Sequence, residues 1–299
     1  MGVQVKILGI LLGSMLSLSA FAANENVRPP TKPSFKKVMT VILENTDAAV
    51  ALQQPFLKSL LSKGAGLTDY HGVAHPSQPN YVALITGGTQ GVTGDEVVDV
   101  KATRSIVDLL EAKHKSWKVY AEGFPGKCFS GKTDGRYVRK HNAFVSLESI
   151  RNNPALCAKI VNASELPKDV KNNSLPDYSF YIPDLDDDGH DTGVAFSDVW
   201  LGKTFGPLLS KPAFKKGLLL VVTFDESSTT YNDPTDNRIY AVLYGDSVKK
   251  GSHSDRHYTH YSLLHTIENT FDLGDLGAED AKAPLIEDVW ISEEPMSER

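Results

Sequence analysis

The run His75-Pro76-Ser77-Gln78-Pro79-Asn80-Tyr81 places an imidazole, a hydroxyl and two amides just ahead of the apolar stretch Val82-Ala83-Leu84-Ile85. This pattern reads as a polar turn entering a buried helix. Pro79 fits the first helical turn, where its missing N–H is harmless. Ser77 would then stand beside orphan backbone N–H groups, a setting that suits phosphate or another anion. The same residues also make an ordinary helix cap, so this run alone leaves both readings open.

Two further runs deliver carboxylates. Strand-forming residues 38–43 end in Glu44-Asn45, and residues 221–224 end in Asp225-Glu226. In open α/β sheets, ligands gather beyond the carboxyl ends of the strands. The two pairs can therefore build one hard, oxygen-rich metal site from distant parts of the chain. Histidines supply the proton chemistry. His75 precedes Ser77 by two residues, His141 lies within 137–144, and His190 follows the acidic run 184–188. His253 and His257 flank Ser254-Asp255-Arg256, and His260 opens the last strong helix, whereas His71, His114 and His265 read as packing or surface residues. The acidic run is not an EF-hand. Counting twelve residues from Asp184 or Asp186 reaches Ala195 or Ser197, where that loop needs Glu. A plain acidic surface loop is the other reading.

The elements that must position these groups alternate along the chain. Strand 38–43 is followed by a helix over 48–63 with Leu52, Phe56 and Leu60 on one face, ended by Gly64 and Gly66. A short strand over 67–70 leads to the Ser77 turn, and its helix stops at Gly87-Gly88. A helix starts at Ser105, and a strand over 116–121 ends at Glu122. Residues 123–176 are rich in Gly, Lys, Asn and Pro and read as a loop-rich insert over the active-site edge. Strand 178–183, a helix within 194–209, strands 218–224 and 238–245, and helix 258–271 complete the pattern. Such alternation predicts a mostly parallel sheet covered on both faces.

Residues 1–22 read as a secretory signal peptide, with Lys6, an apolar core and Ala20-Phe21-Ala22 as the cleavage signal. Its apolar core is shorter than the roughly 20 residues that span a bilayer. A flexible leader over 23–35 and one domain over 36–299 follow, which implies a periplasmic or secreted protein. No later run is long and apolar enough for a stable membrane span. With 31 Lys and Arg against 37 Asp and Glu, the net charge of −6 gives no support to nucleic-acid binding. The two cysteines, Cys128 and Cys157, read as one disulfide in an oxidising compartment, with two buried free thiols as the alternative.

Taken together, Glu44-Asn45, His75 to Tyr81, Phe224-Asp225-Glu226 and His260-Tyr261-Ser262-Leu263-Leu264 resemble the phosphoesterase family of bacterial acid phosphatases and phospholipases C. That family is distantly related to alkaline phosphatases, sulfatases and nucleotide pyrophosphatases. The resemblance covers roughly residues 36–290. It implies an alkaline phosphatase-like α/β fold and a phosphate ester substrate. It also implies Ser77 as the nucleophile of a phosphoserine mechanism, with Glu44, Asn45, Asp225 and Glu226 around a divalent metal (Ca, Mg, Mn or Zn). Asn80 is expected to bind a phosphoryl oxygen. His75, His141 and His190 are expected at the reacting atoms, and His253 and His260 on the substrate side. The expected activity is that of an acid phosphatase, with phospholipase C or another phosphodiesterase as the alternative. A Ser-His-Asp acyl hydrolase built from Ser77, His260 and Asp225 is the rival enzyme, although the chain lacks its Gly-x-Ser-x-Gly turn. A secreted binding module is the non-enzyme reading. Oligomeric state and strand order are not legible.

Overall fold

The structure is a computed structural model that describes residues 1–2, 32–101, 103–228 and 237–291. The signal segment expected over 1–22, almost entirely, and the leader up to residue 31 lie outside the described residues.

Thirteen strands occur among the described residues. In chain order they are β1 (Lys37–Leu43), β2 (Ala65–Leu67), β3 (Tyr70–His71), β4 (Trp117–Ala121), β5 (Thr133–Asp134), β6 (Tyr137–Val138) and β7 (Ile160–Asn162). There follow β8 (Tyr178–Ile182), β9 (Leu218–Phe224), β10 (Arg238–Ile239), β11 (Ala241–Gly245), β12 (Ser252–Ser254) and β13 (Tyr258–Thr259). Eight of them form the main sheet, in the order β12-β2-β11-β9-β1-β8-β4-β7. Neighbours run parallel except that β11 is antiparallel to both β9 and β2, so the sheet is mixed but mostly parallel. A second sheet has the order β10-β3-β13, and β5 pairs with β6. All seven residues of β9 are buried, as a continuous Leu-Val run predicts for a central strand covered on both faces.

Helices flank the main sheet. The single helix expected over 48–63 is two, α1 (Ala48–Ala51) and α2 (Pro55–Lys63). Pro55 explains the break, because it has no N–H to continue a helix and stands instead at a new helix start. Leu52, expected on the core face, falls at this break and is exposed. The α2 start is capped from afar: Asp198, in the helix Val194–Leu209, accepts from Phe56 N at 3.0 Å and Leu57 N at 2.8 Å. Helix α3 (Ser77–Thr86) ends at Gly87, whose φ of 70° is the left-handed stop that glycine favours. It packs against the last long helix, His260–Thr270. Helix α4 (Ile106–Ala112) starts with a Ser105–Asp108 capping box.

Residues 123–176 are more ordered than a loop-rich insert. They contain short helices and contribute β7, the edge strand of the main sheet. Cys128 and Cys157 form a disulfide that ties the loop after β4 to the helix Pro154–Cys157. Residues expected as one strand over 238–245 divide at Tyr240, so that β10 joins the second sheet and β11 the first. No helix among the described residues is long and apolar enough to cross a membrane.

Candidate active site

Adjacent parallel strands β1 and β9 are in register with Leu43 beside Phe224, so their next residues, Glu44 and Asp225, emerge together. Asp225 N donates to Leu43 O at 3.0 Å, and Asn45 N donates to Asp225 Oδ1 at 3.1 Å. Asn45 adopts a left-handed φ of 49°, a conformation asparagine tolerates, and this turns its amide back toward Asp225. On the other side of β1, strand β8 runs into the acidic loop, and Glu44 N donates to Asp188 O at 3.0 Å. Three neighbouring strands thus bring carboxylates to one end of the sheet.

Helix α3 brings the hydroxyl. Ser77 is its first residue, after a cis His75-Pro76 bond. Ser77 Oγ lies 2.9 Å from Glu44 Oε2 and 3.0 Å from Glu226 Oε1. A serine hydroxyl carries one proton, so it donates to only one carboxylate at a time. Tyr81, four residues on and on the same helix face, donates to Glu44 Oε1 at 2.5 Å. The helix start is not capped by its own N-cap residue. Gln78 N donates instead to Asp95 Oδ1 at 3.0 Å. The preceding loop presses against Asp225, where a Cβ on Gly72 would stand 2.7 Å from the Asp225 carbonyl oxygen. Only glycine allows that approach.

Behind Ser77 lies a buried group of Glu44, His141 and Asp188 that could hold a metal ion. His141 Nε2 is 3.2 Å from Glu44 Oε1, and Nδ1 is 3.1 Å from Asp188 Oδ2. Neither approach has hydrogen-bond geometry, so both ring nitrogens stay without partners, as do Asp188 Oδ2 and Asp225 Oδ2. Glu44, Asp188 and Asp225 are at most 1 % exposed, and Glu226 is 4 % exposed. Burial, reinforced by Asp225 and Asp188, raises the Glu44 carboxyl well above its usual range. Burial likewise lifts Asp188 to about 9, Glu226 to about 8 and Asp225 to about 6. Burial pushes the His141 imidazole well down, aided by Lys140 and His190, so it stands neutral as a ligand requires. Four crowded acids with orphaned oxygens need either protons or a cation. Oxygen ligands with one imidazole fit a divalent ion of the Mg, Ca, Mn or Zn group.

The group opens onto a cavity of about 270 Å³ lined by Asn45, Ser77, Asp95, Lys140, His190 and Glu226, among others. Lys140 Nζ donates to Asp95 Oδ2 at 2.8 Å and to His190 Nε2 at 3.3 Å. His190 Nδ1 is 2.6 Å from Asp191 Oδ1, which fixes the Nδ1–H tautomer and leaves Nε2 as an acceptor. Burial works against the charge of Lys140, but Glu44, Asp95 and Asp225 outweigh it and raise its pKa. His75 Nδ1 contacts Glu226 Oε2, while its buried Nε2 has no partner among the described residues. Burial lowers the His75 pKa.

Of the residues singled out in the sequence, Glu44, Asn45, His75, Ser77, His141, His190, Asp225 and Glu226 come together here. Four stand in different places from those expected. His141 is buried between Glu44 and Asp188 and stacks on Tyr81, away from the open cavity where a leaving group would stand. Asn80 has no free hydrogen-bonding group for phosphate. Its Oδ1 accepts from Val73 N and Ala74 N, at 2.8 and 3.0 Å, and its Nδ2 donates to Ala74 O and Pro76 O, at 2.8 and 3.3 Å. It therefore shapes the loop that leads to Ser77. His260 is wholly buried, with Nε2 on the Asp225 carbonyl at 2.6 Å and Nδ1 on the Tyr70 hydroxyl at 3.1 Å, and burial takes its pKa to about 4. His253 lies on β12, at the far edge of the main sheet, and lines a different cavity. Asp188, Lys140, Asp95 and Tyr81 were missed. Only Tyr81 carried a usable signal, its i+4 spacing from Ser77.

Residues 50–274 match the Phosphoesterase family. The chain is 35% identical over 265 residues to the phosphate-repressible acid phosphatase of Penicillium chrysogenum, covering 86% of this chain and 64% of that protein. It is 30% identical over 289 residues to the phosphatidylinositol-3-phosphatase of Mycobacterium tuberculosis, covering 95% and 93%. It spans 59–68% of the length of the four fungal acid phosphatases it matches. Its fold is similar to that of a protein in the alkaline phosphatase superfamily from Vibrio parahaemolyticus, with a TM-score of 0.56 and 14% identity over 86% of this chain and 72% of that one. By its family match and its sequence relatives, the chain belongs to the Phosphoesterase family.

Proposed function

We propose that this chain is a metal-dependent phosphomonoesterase of the acid phosphatase type, with Ser77 as its nucleophile. The observation that carries this reading is the Ser77 hydroxyl, held between Glu44 and Glu226 at a helix start and facing a cavity that also holds Lys140. Relatives named acid phosphatase and phosphatidylinositol-3-phosphatase support a monoester as substrate. The expected disulfide and leader segment support a place outside the cytoplasm, in the periplasm or secreted.

In this reading Ser77 Oγ attacks phosphorus and passes its proton to Glu226, which the positive charge of a bound ion would keep ionised. The ester P–O bond breaks, and the leaving oxygen takes a proton from protonated His75. Water then attacks the phosphoserine, giving one proton back to His75, while Glu226 returns its proton to the departing Ser77 Oγ and inorganic phosphate is released. Lys140 holds a phosphoryl oxygen, and Asp95 and His190 hold Lys140 in place. Glu44, Asp188, Asp225 and His141 would hold a divalent ion, which supplies positive charge to activate the hydroxyl and offset charge on the phosphoryl oxygens. Because His75 must be charged to donate and its pKa is lowered, activity favours acidic pH.

The acyl hydrolase reading fares worse. Ser77 is bonded to carboxylates rather than to an imidazole, and His260 is committed to Asp225 and Tyr70. A kinetic panel with controlled metal tests substrate class: p-nitrophenyl phosphate, bis-p-nitrophenyl phosphate, phosphatidylinositol 3-phosphate vesicles and phosphatidylcholine vesicles. Monoesters should be hydrolysed best, with loss on chelation and recovery on add-back. A kcat/KM for phosphatidylcholine tenfold above every monoester would replace this reading with phospholipase C.

A further inference from the structure

The second sheet carries a separate set of metal-ligating side chains. In β3 and the residue before it, alternation puts Asp69 and His71 on one face and the buried Tyr70 on the other. The parallel partner β13 is in register with Tyr258 beside Tyr70, and Tyr258 N donates to Asp69 O at 2.9 Å. That register sets His257 next to Asp69, on the same outward face. Asp69 Oδ1 lies 2.8 Å from His71 Nε2, and Asp69 Oδ2 lies 3.1 Å from His257 Nδ1. The two imidazole centroids are 4.7 Å apart, and one donor atom from each of the three residues falls within 4.8 Å of the others.

We propose that Asp69, His71 and His257 form a second metal site, outside the catalytic cavity, for a borderline transition ion of the zinc class. Zinc–nitrogen and zinc–oxygen bonds of about 2.0–2.2 Å put neighbouring ligand atoms of a tetrahedral site about 3.3 Å apart. The two Asp–His separations, one to each carboxylate oxygen, lie just below this span, and the three ligand atoms converge within 4.8 Å. Two imidazoles and one carboxylate favour zinc, copper or nickel over magnesium or calcium, which prefer all-oxygen shells. The side chain of His257 is 64% exposed and that of Asp69 39%, so an ion can enter and water can complete the shell. Arg238, opposite His71 in β10, lines the separate cavity beside α1. An ion bound here clasps β3 to β13. Strand β3 leads into the Ser77 loop, and its Tyr70 holds His260 behind Asp225. The site does not depend on the activity proposed above.

The test uses the full chain carrying its catalytic metal, equilibrated with micromolar Zn²⁺ and freed of unbound ion. Wild type should retain one more Zn²⁺ per chain than His257→Ala or Asp69→Ala, and Zn²⁺ should raise the melting temperature of wild type but not of His257→Ala. His257 is exposed, so its variant tests the site without a folding defect. Equal zinc content in wild type and both variants, or an equal thermal shift in wild type and His257→Ala, would overturn the proposal.

Discussion

Replacing Asp225 with Asn separates the cost of the buried carboxylates from their use. Burial lifts the Asp225 carboxyl from 3.8 to about 6, against the hydrogen bond from Asn45 N–H that favours its charge. A folded pKa above the unfolded one means that the folded state holds the proton more tightly. The penalty is absent below about pH 4, grows between about 4 and 6, and is complete above that window. At about 1.36 kcal/mol per pH unit, this rise makes the penalty roughly 3 kcal/mol at pH 7. The substituted amide would keep an acceptor for Asn45 N–H and carry no charge. Under chelation at pH 7, Asp225→Asn should therefore melt higher than wild type, by roughly 6–12 °C on the scale of 2–4 °C per kcal/mol for large domains. At pH 4 the gain should vanish. With metal present the order should reverse, because the variant has lost a ligand, and kcat/KM should fall by about 100-fold or more. Thermal melts at pH 4, 5, 6 and 7, with chelator and with metal, read all of this. A variant no more stable than wild type at pH 7 under chelation would show that the Asp225 charge carries no such penalty, and an undiminished metal-dependent shift would show that Asp225 holds no ion.

Lys140→Met should raise KM for monoesters and lower kcat/KM by about 10- to 100-fold, since it removes the one cation facing the cavity among the described residues; steady-state kinetics check it. His75→Asn should lower kcat most at acidic pH and flatten the pH profile, because it removes the group proposed to protonate the leaving oxygen; a substrate with a good leaving group should recover much of the loss. Asn80→Ala leaves the amides of Val73 and Ala74 without their acceptor, and should destabilise by about 2–4 kcal/mol in urea melts while also lowering kcat. Cys128→Ser with Cys157→Ser opens a 29-residue separation and should cost roughly 3–4 kcal/mol without abolishing activity.

Strand ends were the legible part of this site. Runs of β-branched and aliphatic residues mark β1 and β9 clearly, and the rule that ligands gather beyond parallel strands then joins Glu44 to Asp225. The residues that arrive from loops gave no such sign. Lys140 sits on a short 3-10 turn (Arg139–His141) within a segment whose composition suggests loop, its neighbour His141 was marked only by the family resemblance, and Asp188 is one acid among several. Asn80 misled because a short polar side chain in a first helical turn can serve either a ligand or the loop before it. Four backbone partners decide for the loop. His260 misled in the same way, since a helix-start histidine can face out or back, and here it braces Asp225 from behind. The break at Pro55 was visible in the sequence, but the hydrophobic spacing across it outweighed the proline.

In the proposed reaction Ser77 takes the phosphoryl group while the buried acids and His141 would hold a divalent ion. The most direct test is acid quench of metal-loaded enzyme during turnover of a phosphomonoester, followed by peptide mapping of bound phosphate. Phosphate should appear on the peptide containing Ser77, and not in Ser77→Ala or in wild type stripped of metal. Phosphate on another residue, or a Ser77→Ala enzyme that turns over like wild type, would contradict the proposed reaction.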